Sequence, residues 1–229
     1  MTDTVLPLAA ATAFFSLLHV IALVRVEPVY PRAFKLSRGL AALILTALGV
    51  AAFVSALPHW KEAFLYRHAD GDWMRIGLLA VCGHLLADFL WMALGRWKYA
   101  IRPRKDLILH HGLGVLGFGA ALYLRIGYAV ALLTMITELL PVTTGLNAWA
   151  KRIKRQPLVD AADRARLYLL AGLRLPLWSF LLVLVALALL GGRSGDLQAA
   201  YLVALAGLAG LVVLDLYWVR KCRQHVDFY

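Results

Sequence analysis

Long apolar segments recur along the chain and constrain its fold more than any other feature. Seven of them, each near the ~20 residues that a helix needs to cross about 30 Å of hydrocarbon, are separated by short polar connections. They run approximately over residues 4–24, 38–58, 73–96, 105–124, 127–149, 166–190 and 197–219. The sequence therefore predicts an all-α polytopic membrane protein with about seven transmembrane helices.

The overall composition agrees with this prediction. Hydrophobic residues make up 62% of the chain and charged residues only 16%, whereas a soluble domain carries about a quarter. Cys82 lies within an apolar segment and Cys222 in a basic tail, so no disulfide is expected. The first segment lacks a preceding basic region, so we interpret it as a retained helix rather than a cleaved signal peptide.

The positive charges are distributed unevenly between the two sides of the predicted membrane. Eighteen of the 24 Lys and Arg residues follow the first, third, fifth and seventh segments, and five lie in the other connections. By the positive-inside rule the N-terminus is outside and the C-terminus is cytosolic. The net charge of +11 thus reflects topology and contact with anionic lipid, and we expect no nucleic-acid partner.

Tryptophans fit the same frame. Those expected at the two membrane interfaces are Trp60 and Trp73 on the outer side and Trp97, Trp149 and Trp218 on the inner side. Trp91 and Trp178 lie deeper, where we expect them to pack between helices.

Several ionisable residues fall inside the apolar segments, where they are costly and usually face a bundle interior or a wet cavity. They are His19, His84, Asp88, His110, His111, Glu138, Arg174 and Asp215. Five segments place such groups in the half of the membrane next to the basic connections. The pattern predicts one cavity open to the cytosol. His19 and Asp215 lie near segment ends, where a purely structural role is the alternative.

Two adjacent histidines near the start of the fourth segment, in KDLILHHGLG (residues 105–114), are the most informative of these groups. Neighbouring helix residues point about 100° apart, so the rings of His110 and His111 cannot stack. Either one faces the cavity while the other faces a neighbouring helix, or both flank a wedge between helices.

Acyl transfer is the first chemistry that fits the pair. A neutral imidazole acts as a nucleophile on a thioester, or as a general base for an attacking amine or hydroxyl. Asp88 or Glu138 would orient the ring, and Arg174 would pair with a carboxylate or hold an anionic group. Lys105 and the surrounding basic loop would hold the phosphates of coenzyme A.

Two other chemistries remain open. A metal site would normally use histidines spaced i,i+3 or i,i+4, and the chain has no such H-x-x-H or H-x-x-x-H box, so no metal ligands are assigned. Binding of a lipid headgroup or fatty carboxylate by His and Arg, without chemistry, is equally compatible with the residues.

The stretch RPRKDLILHHGLG, residues 102–114, resembles the Lag motif of the TRAM-LAG-CLN (TLC) domain of ceramide synthases. Asp88 in HLLADFLW resembles an acidic residue of the preceding helix in that family. The segments LRIGYA (124–129) and TELLPVTTGLNAWAK (137–151) resemble its short hairpin and its Glu-containing helix. The similarity covers about residues 35–220.

This resemblance implies six helices around a central cavity, formed by residues 35–229, with residues 1–34 as an extra N-terminal helix and basic loop. It implies His110 as the nucleophile or base, His111 as its partner and Asp88 as a supporting acid. Where ceramide synthases carry a His-Asp pair, this chain offers Glu138, as in TLC proteins with other roles, so the fold transfers better than the substrate does.

The predicted function is an integral membrane, lipid-modifying acyltransferase. Acyl-CoA or a similar thioester is the expected co-substrate, with a long-chain amine or alcohol as acceptor and no tightly bound cofactor. The alternative is a non-catalytic lipid-binding or lipid-homeostasis protein. We expect a bacterial inner membrane and leave the oligomeric state open. The catalytic candidates are His110, His111, Asp88 and Glu138, and the substrate-binding candidates are Arg174, Lys105, Asp106, Asn147, His84 and Asp215.

Overall fold

The structure, a computed structural model, describes residues 2–59, 73–191 and 195–226. Within these ranges it is almost entirely helical, with nine α-helices. They are α1 (Thr2–Ile21), α2 (Tyr30–Ala56), α3 (Trp73–Tyr99), α4 (Lys105–Leu124), α5 (Tyr128–Leu133), α6 (Leu139–Arg152), α7 (Gln156–Leu169), α8 (Leu175–Leu190) and α9 (Asp196–Val226).

These helices form seven apolar spans, each long enough to cross a membrane. Helices α5 and α6 make one span, joined by a 3₁₀ segment at Thr134–Glu138, and α7 and α8 make another, joined by a π-helical turn at Leu170–Arg174. The prediction of an all-α polytopic membrane protein with seven spans is confirmed.

Six spans pack in a ring. Helix α2 packs on the α5–α6 span, which packs on the α7–α8 span; the ring then continues through α9, α4 and α3 back to α2. Helix α1 lies outside the ring against α3. Small residues allow close approach: a Cβ on Gly39 would lie 3.0 Å from Cα of Gly145, and one on Gly83 would lie 2.6 Å from Cβ of Ala11.

Two prolines coincide with the breaks in helical geometry and help to explain them. A proline inside a helix lacks an N–H and crowds the carbonyl four residues earlier, so the turn before it tends to rearrange. Pro176 follows the π-helical turn that ends at Arg174, and Pro141 follows the 3₁₀ segment that ends at Glu138. Both deviations therefore carry an ionisable residue, and such breaks frequently mark functional positions.

Helix α7 differs from expectation. Residues 150–165 were expected to be a polar connection, but Gln156–Leu169 is helical and leads directly into the span. It begins with a proline in its first turn, where the missing N–H costs nothing, and it is amphipathic rather than uniformly apolar. Its inward face brings Asp163 and Arg166 to the bundle, as described below.

The tryptophans mostly follow the predicted frame. Trp73, Trp97 and Trp149 are exposed and Trp91 and Trp178 are buried, whereas Trp60 lies outside the described residues. Trp218, expected at the inner interface, is only 8% exposed and lies between helices near Asp106 at the start of α4. Its indole packs over the guanidinium of Arg174 and its N–H has a carboxylate acceptor, which satisfies the polar edge inside the bundle.

Candidate functional site

The two adjacent histidines diverge into different surroundings. Their ring centroids lie 5.5 Å apart with the planes at 77°. His111 is 1% exposed and points toward α3, where its Nε2–H donates to Oδ2 of Asp88 at 2.7 Å. His110 is partly exposed and lines two cavities. This is the first of the two arrangements that the 100° offset allows.

Asp88 is the centre of a buried polar cluster that joins four helices. Its Oδ2 lies 2.6 Å from Nε of Arg38 on α2, and its Oδ1 accepts from Nε2 of His19 on α1 at 3.2 Å. His84, one turn earlier on α3, approaches it at 3.8 Å. We call Asp88, His19, Arg38, His84 and His111 the Asp88 cluster. Because Asp88 is 0% exposed, its charge depends on Arg38 for neutralisation.

The Asp88 cluster is packed around Arg38 rather than around space for a metal ion. Within the described ranges no three His, Cys, Asp or Glu side chains are arranged to share a metal. The guanidinium of Arg38 already approaches the carboxylate oxygen that also accepts from His111. A second cation at that oxygen would meet a positive neighbour.

A second polar cluster surrounds Arg174, at the end of the π-helical turn. Its Nε donates to Oδ2 of Asp215 at 2.8 Å, and its Nη2 donates to Nδ1 of His110 at 3.3 Å. The indoles of Trp178 and Trp218 flank the guanidinium, with centroids 5.7 Å and 5.2 Å from Cζ. Arg174 is 2% exposed and Asp215 is 0% exposed, so the two charges neutralise each other inside the bundle.

The contact with Arg174 indicates which ring nitrogen of His110 carries the proton. An arginine N–H only donates, so Nδ1 of His110 is the acceptor. In the neutral imidazole Nε2 then carries the proton. No hydrogen bond to Nε2 occurs among the described residues, which leaves this N–H available to a ligand.

His110 lines a basic cavity of about 170 Å³ at the end of the bundle where the Lys- and Arg-rich connections lie. Its charged lining residues are five cations and one acid: Arg38, Arg104, Arg166, Arg174, Lys221 and Asp163. Asp163 is bound by Arg166 and by Nδ2 of Asn147, both at 3.0 Å. Four of these cations are each paired with a carboxylate: Arg38 with Asp88, Arg104 with Asp106, Arg166 with Asp163 and Arg174 with Asp215. The basic cavity therefore offers N–H donors suited to phosphate or carboxylate rather than a large unbalanced charge.

A narrow space of about 30 Å³ lies on the other side of His110. His84, Trp178 and Glu138 also line it. Glu138 is 8% exposed, and in the part of the chain that the structure describes it has no hydrogen-bond or ion-pair partner. Burying a carboxyl group without a partner costs free energy of folding. Titratable groups in such surroundings cluster at functional sites, so this space is a candidate reaction site.

An apolar cavity of about 170 Å³ borders the narrow space and lies between α4, α5, α8 and α9. The two share the lining residues Gly114, Phe118, Trp178 and Leu211. Thr134 and Tyr201 are the polar residues among an otherwise hydrophobic or small lining. His110 thus lies between the basic cavity and a narrow space that borders the apolar one.

The predicted site residues take three different places. His110, Arg174 and Glu138 line the cavities, and His84 links the narrow space to the Asp88 cluster. Asp88, His111 and Asp215 lie behind these linings as hydrogen-bonding partners. The polar groups therefore do not share one cavity as expected, because the two histidine rings point to opposite sides of α4.

Three other predicted site residues lie at the mouth of the basic cavity or outside it. Asn147 holds Asp163, and Asp106 accepts from Nε1 of Trp218 at 2.7 Å and pairs with Arg104. Lys105 is exposed and does not line the basic cavity. The neighbouring residue Arg104 lines the basic cavity instead.

Sequence reasoning missed several lining residues. Arg38, Arg104, Arg166 and Lys221 were counted only as topology-setting charges, and Asp163 was not considered. A signal was present for Arg38, which is the first residue of the second apolar segment (38–58) and so lies at the membrane boundary. For Trp218 the indole N–H, which needs a partner when buried, was the available signal.

Comparison with family models, with curated proteins and with solved structures finds no match to this chain. The class of protein therefore rests on the chain itself. The fold and the site define an all-α polytopic membrane protein whose ring of six spans holds a basic cavity, a narrow space and an apolar cavity, with lining residues shared between neighbours.

Proposed function

We propose that this protein is an integral membrane acyltransferase that moves an acyl group from acyl-CoA, or a similar thioester, to a long-chain amine or alcohol. The observation that carries the proposal is the position of His110, between the basic cavity and the narrow space that borders the apolar cavity. An acyl thioester has anionic phosphates, a reactive carbonyl and an alkyl tail in the same order.

The mouth of the basic cavity suits the phosphates of acyl-CoA. Arg104, Arg166 and Lys221 supply N–H donors and positive charge to its lining, and arginine binds phosphate oxygens in a bidentate manner. The cavity is too small for a whole coenzyme, so only the end that carries the thioester enters it and the remainder lies across the exposed side chain of Arg104.

At the reacting centre we assign two roles. The Nε2–H of His110 donates to the thioester carbonyl oxygen and stabilises the oxyanion as the acceptor attacks. The carboxylate of Glu138 takes the proton from the attacking amine or hydroxyl. The new C–N or C–O bond forms, the C–S bond breaks, and the thiolate leaves with the proton that Glu138 accepted. This direct transfer differs from a mechanism with His110 as nucleophile, because Arg174 occupies Nδ1 and favours the Nε2–H tautomer.

His111 and Asp88 are positioning residues in this account. Their hydrogen bond fixes α4 against α3, and it sets the rotation of α4 that turns His110 toward the cavities. A ring of six spans, with α1 outside it, is also what the resemblance to the TLC domain implies. We therefore include a TLC-like architecture in the proposal.

The basic cavity also bears on how the protein is oriented in the membrane. We propose that the end with the basic cavity faces the cytosol, where acyl thioesters are made, and that the membrane is a bacterial inner membrane. The distribution of Lys and Arg supports this orientation.

Non-catalytic binding of an anionic lipid is the second candidate, and a specific observation favours it. Both polar clusters are already internally paired, and His110 presents an N–H donor rather than a lone pair. Such a donor beside Arg174 also suits a fatty carboxylate or a lipid phosphate that is held and not converted.

A transfer assay separates the two. The purified full-length protein in mild detergent is incubated with palmitoyl-CoA and a panel of long-chain amines and alcohols, while free CoA and lipid products are measured and the intact protein is weighed by mass spectrometry. An acyl product with CoA release and no protein adduct supports direct transfer. An adduct that persists in Cys222→Ser and is lost in His110→Ala or His111→Ala would assign that histidine as nucleophile instead. Tight binding of lipid with no CoA release would overturn the enzyme proposal.

A further inference from the structure

Two glycines line the apolar cavity with open space beside them. They are Gly117 on α4 and Gly207 on α9, and a Cβ built on either would meet no other heavy atom within 4 Å. A larger side chain at either position would therefore enter the cavity and not collide with a neighbouring helix.

The packing of α4 on α9 places both glycines at the same depth. A Cβ on Gly210 would contact Leu113 at 3.0 Å, so these residues mark where the two helices touch. The helices run antiparallel, because they form the fourth and seventh spans. Gly117 and Gly207 are each about one turn, roughly 5 Å, beyond that contact, away from the basic cavity.

We infer that Gly117 and Gly207 determine the length of the alkyl tail that the site accepts, an inference that rests on the proposed function. The occupant is the tail of an amphiphile whose head lies at His110, because the narrow space that His110 and Glu138 line shares four wall residues with the apolar cavity: Gly114, Phe118, Trp178 and Leu211. From His110, Gly117 lies about 10 Å along α4, and the lining residue Ala121 lies about 16 Å along it. A side chain at either glycine would close the far part of the cavity.

The expected consequence is a change in chain-length preference rather than a general loss of binding. Each buried methylene contributes about 0.8 kcal/mol, so exclusion of the last few methylenes of a long tail weakens binding by at least about tenfold. A shorter tail that ends before Gly117 keeps its contacts.

The test is equilibrium binding of palmitoyl-CoA and octanoyl-CoA to the full-length protein. The variants are Gly117→Leu and Gly207→Leu, with Gly117→Ala and Gly207→Val as milder changes if the larger ones do not fold. Gly119→Leu is the matched control, since a Cβ there also meets nothing within 4 Å but Gly119 does not line the apolar cavity.

We expect the Gly117 and Gly207 variants to lose about tenfold or more in affinity for palmitoyl-CoA and less than about threefold for octanoyl-CoA, with Gly119→Leu unchanged for both. An unchanged ratio of the two affinities in folded variants would overturn this inference and leave the proposed function standing. If the wild-type protein binds neither thioester, the proposed function fails and this inference fails with it.

Discussion

Nη2 of Arg174 lies 3.3 Å from Nδ1 of His110, although the two residues are 64 positions apart in the chain. The same guanidinium donates from Nε to Asp215, so one side chain connects the carboxylate of α9 to the imidazole of α4. Through this contact the π-helical turn before Pro176 determines which nitrogen of His110 faces the cavities. The orientation of the ring is thus a property of three spans and not of α4 alone.

Removal of Arg174 should lower both stability and turnover, and only the loss of stability should be reversed by a second substitution at Asp215. Arg174→Met leaves Asp215 buried without a counter-charge, and we expect a loss of about 3–5 kcal/mol in the free energy of unfolding. The double variant Arg174→Met, Asp215→Leu removes both charges and should recover most of that loss. It should not recover acyl transfer, because Nδ1 of His110 still lacks its donor. Thermal unfolding and turnover, measured on the same preparations, check both expectations. Recovery of turnover together with stability would assign the pair a purely structural role.

The carboxylate of Asp88 should be worth far more to stability than that of Asp106. Asp88→Asn leaves the guanidinium of Arg38 without a counter-charge inside the bundle, with an expected loss of about 3–5 kcal/mol. Asp106→Asn is the control, because its partner Arg104 has a side chain that is 57% exposed, and exposed pairs contribute about 0–1 kcal/mol. Unfolding in detergent of the two variants gives the comparison. Equal losses would contradict the central place given to the Asp88 cluster.

Glu138→Gln tests the proposed base. Glutamine keeps the size of the side chain but cannot take a proton from the acceptor, so the rate of transfer should fall by about 10²–10⁴-fold. Affinity for the thioester should stay within about threefold, since the phosphates contact other residues. Turnover and equilibrium binding are measured in parallel. A variant with normal turnover would remove Glu138 from the mechanism.

Cys222 offers a test of orientation. It lines the basic cavity and is partly exposed, whereas Cys82 is 8% exposed within α3. In intact cells a membrane-impermeant maleimide should leave Cys222 unmodified, and opening the membrane should allow its modification. The variant Cys222→Ser is the control for reaction at Cys82. Modification in intact cells would place the basic end outside.

The seven spans were predictable because membrane insertion depends mainly on the length and apolarity of each segment, which are local properties. Helix α7 was not predictable from the sequence, since it is short and amphipathic and owes its helicity to packing on the bundle. The pairing of His111 with Asp88 was anticipated only as one of two options. The separation into two polar clusters depends on how far each helix is rotated about its axis, and that rotation is determined by contacts such as the close approach of Gly39 and Gly145.

The lining residues that sequence analysis did not identify were missed for a common physical reason. Arg38, Arg104 and Arg166 belong to a large set of basic residues that orientation alone explains, so nothing local distinguishes those that line a cavity. The lack of a partner for Glu138 depends on the surroundings of the 3₁₀ segment that carries it. Partnering of buried charges is a tertiary property, whereas their presence in apolar segments is evident from the residues.

The most direct test of the central claim compares acyl transfer by the wild-type protein with that of His110→Ala and His110→Gln. If Nε2–H donates to the thioester oxygen, the alanine variant should lose about 10²–10³-fold in turnover while it remains folded. The glutamine variant should retain part of the activity, because its amide can accept from Arg174 and still donate to the substrate. Gly112→Ala, at a position with open space on the same helix, should match the wild type. Full turnover in a folded His110→Ala protein would contradict the account.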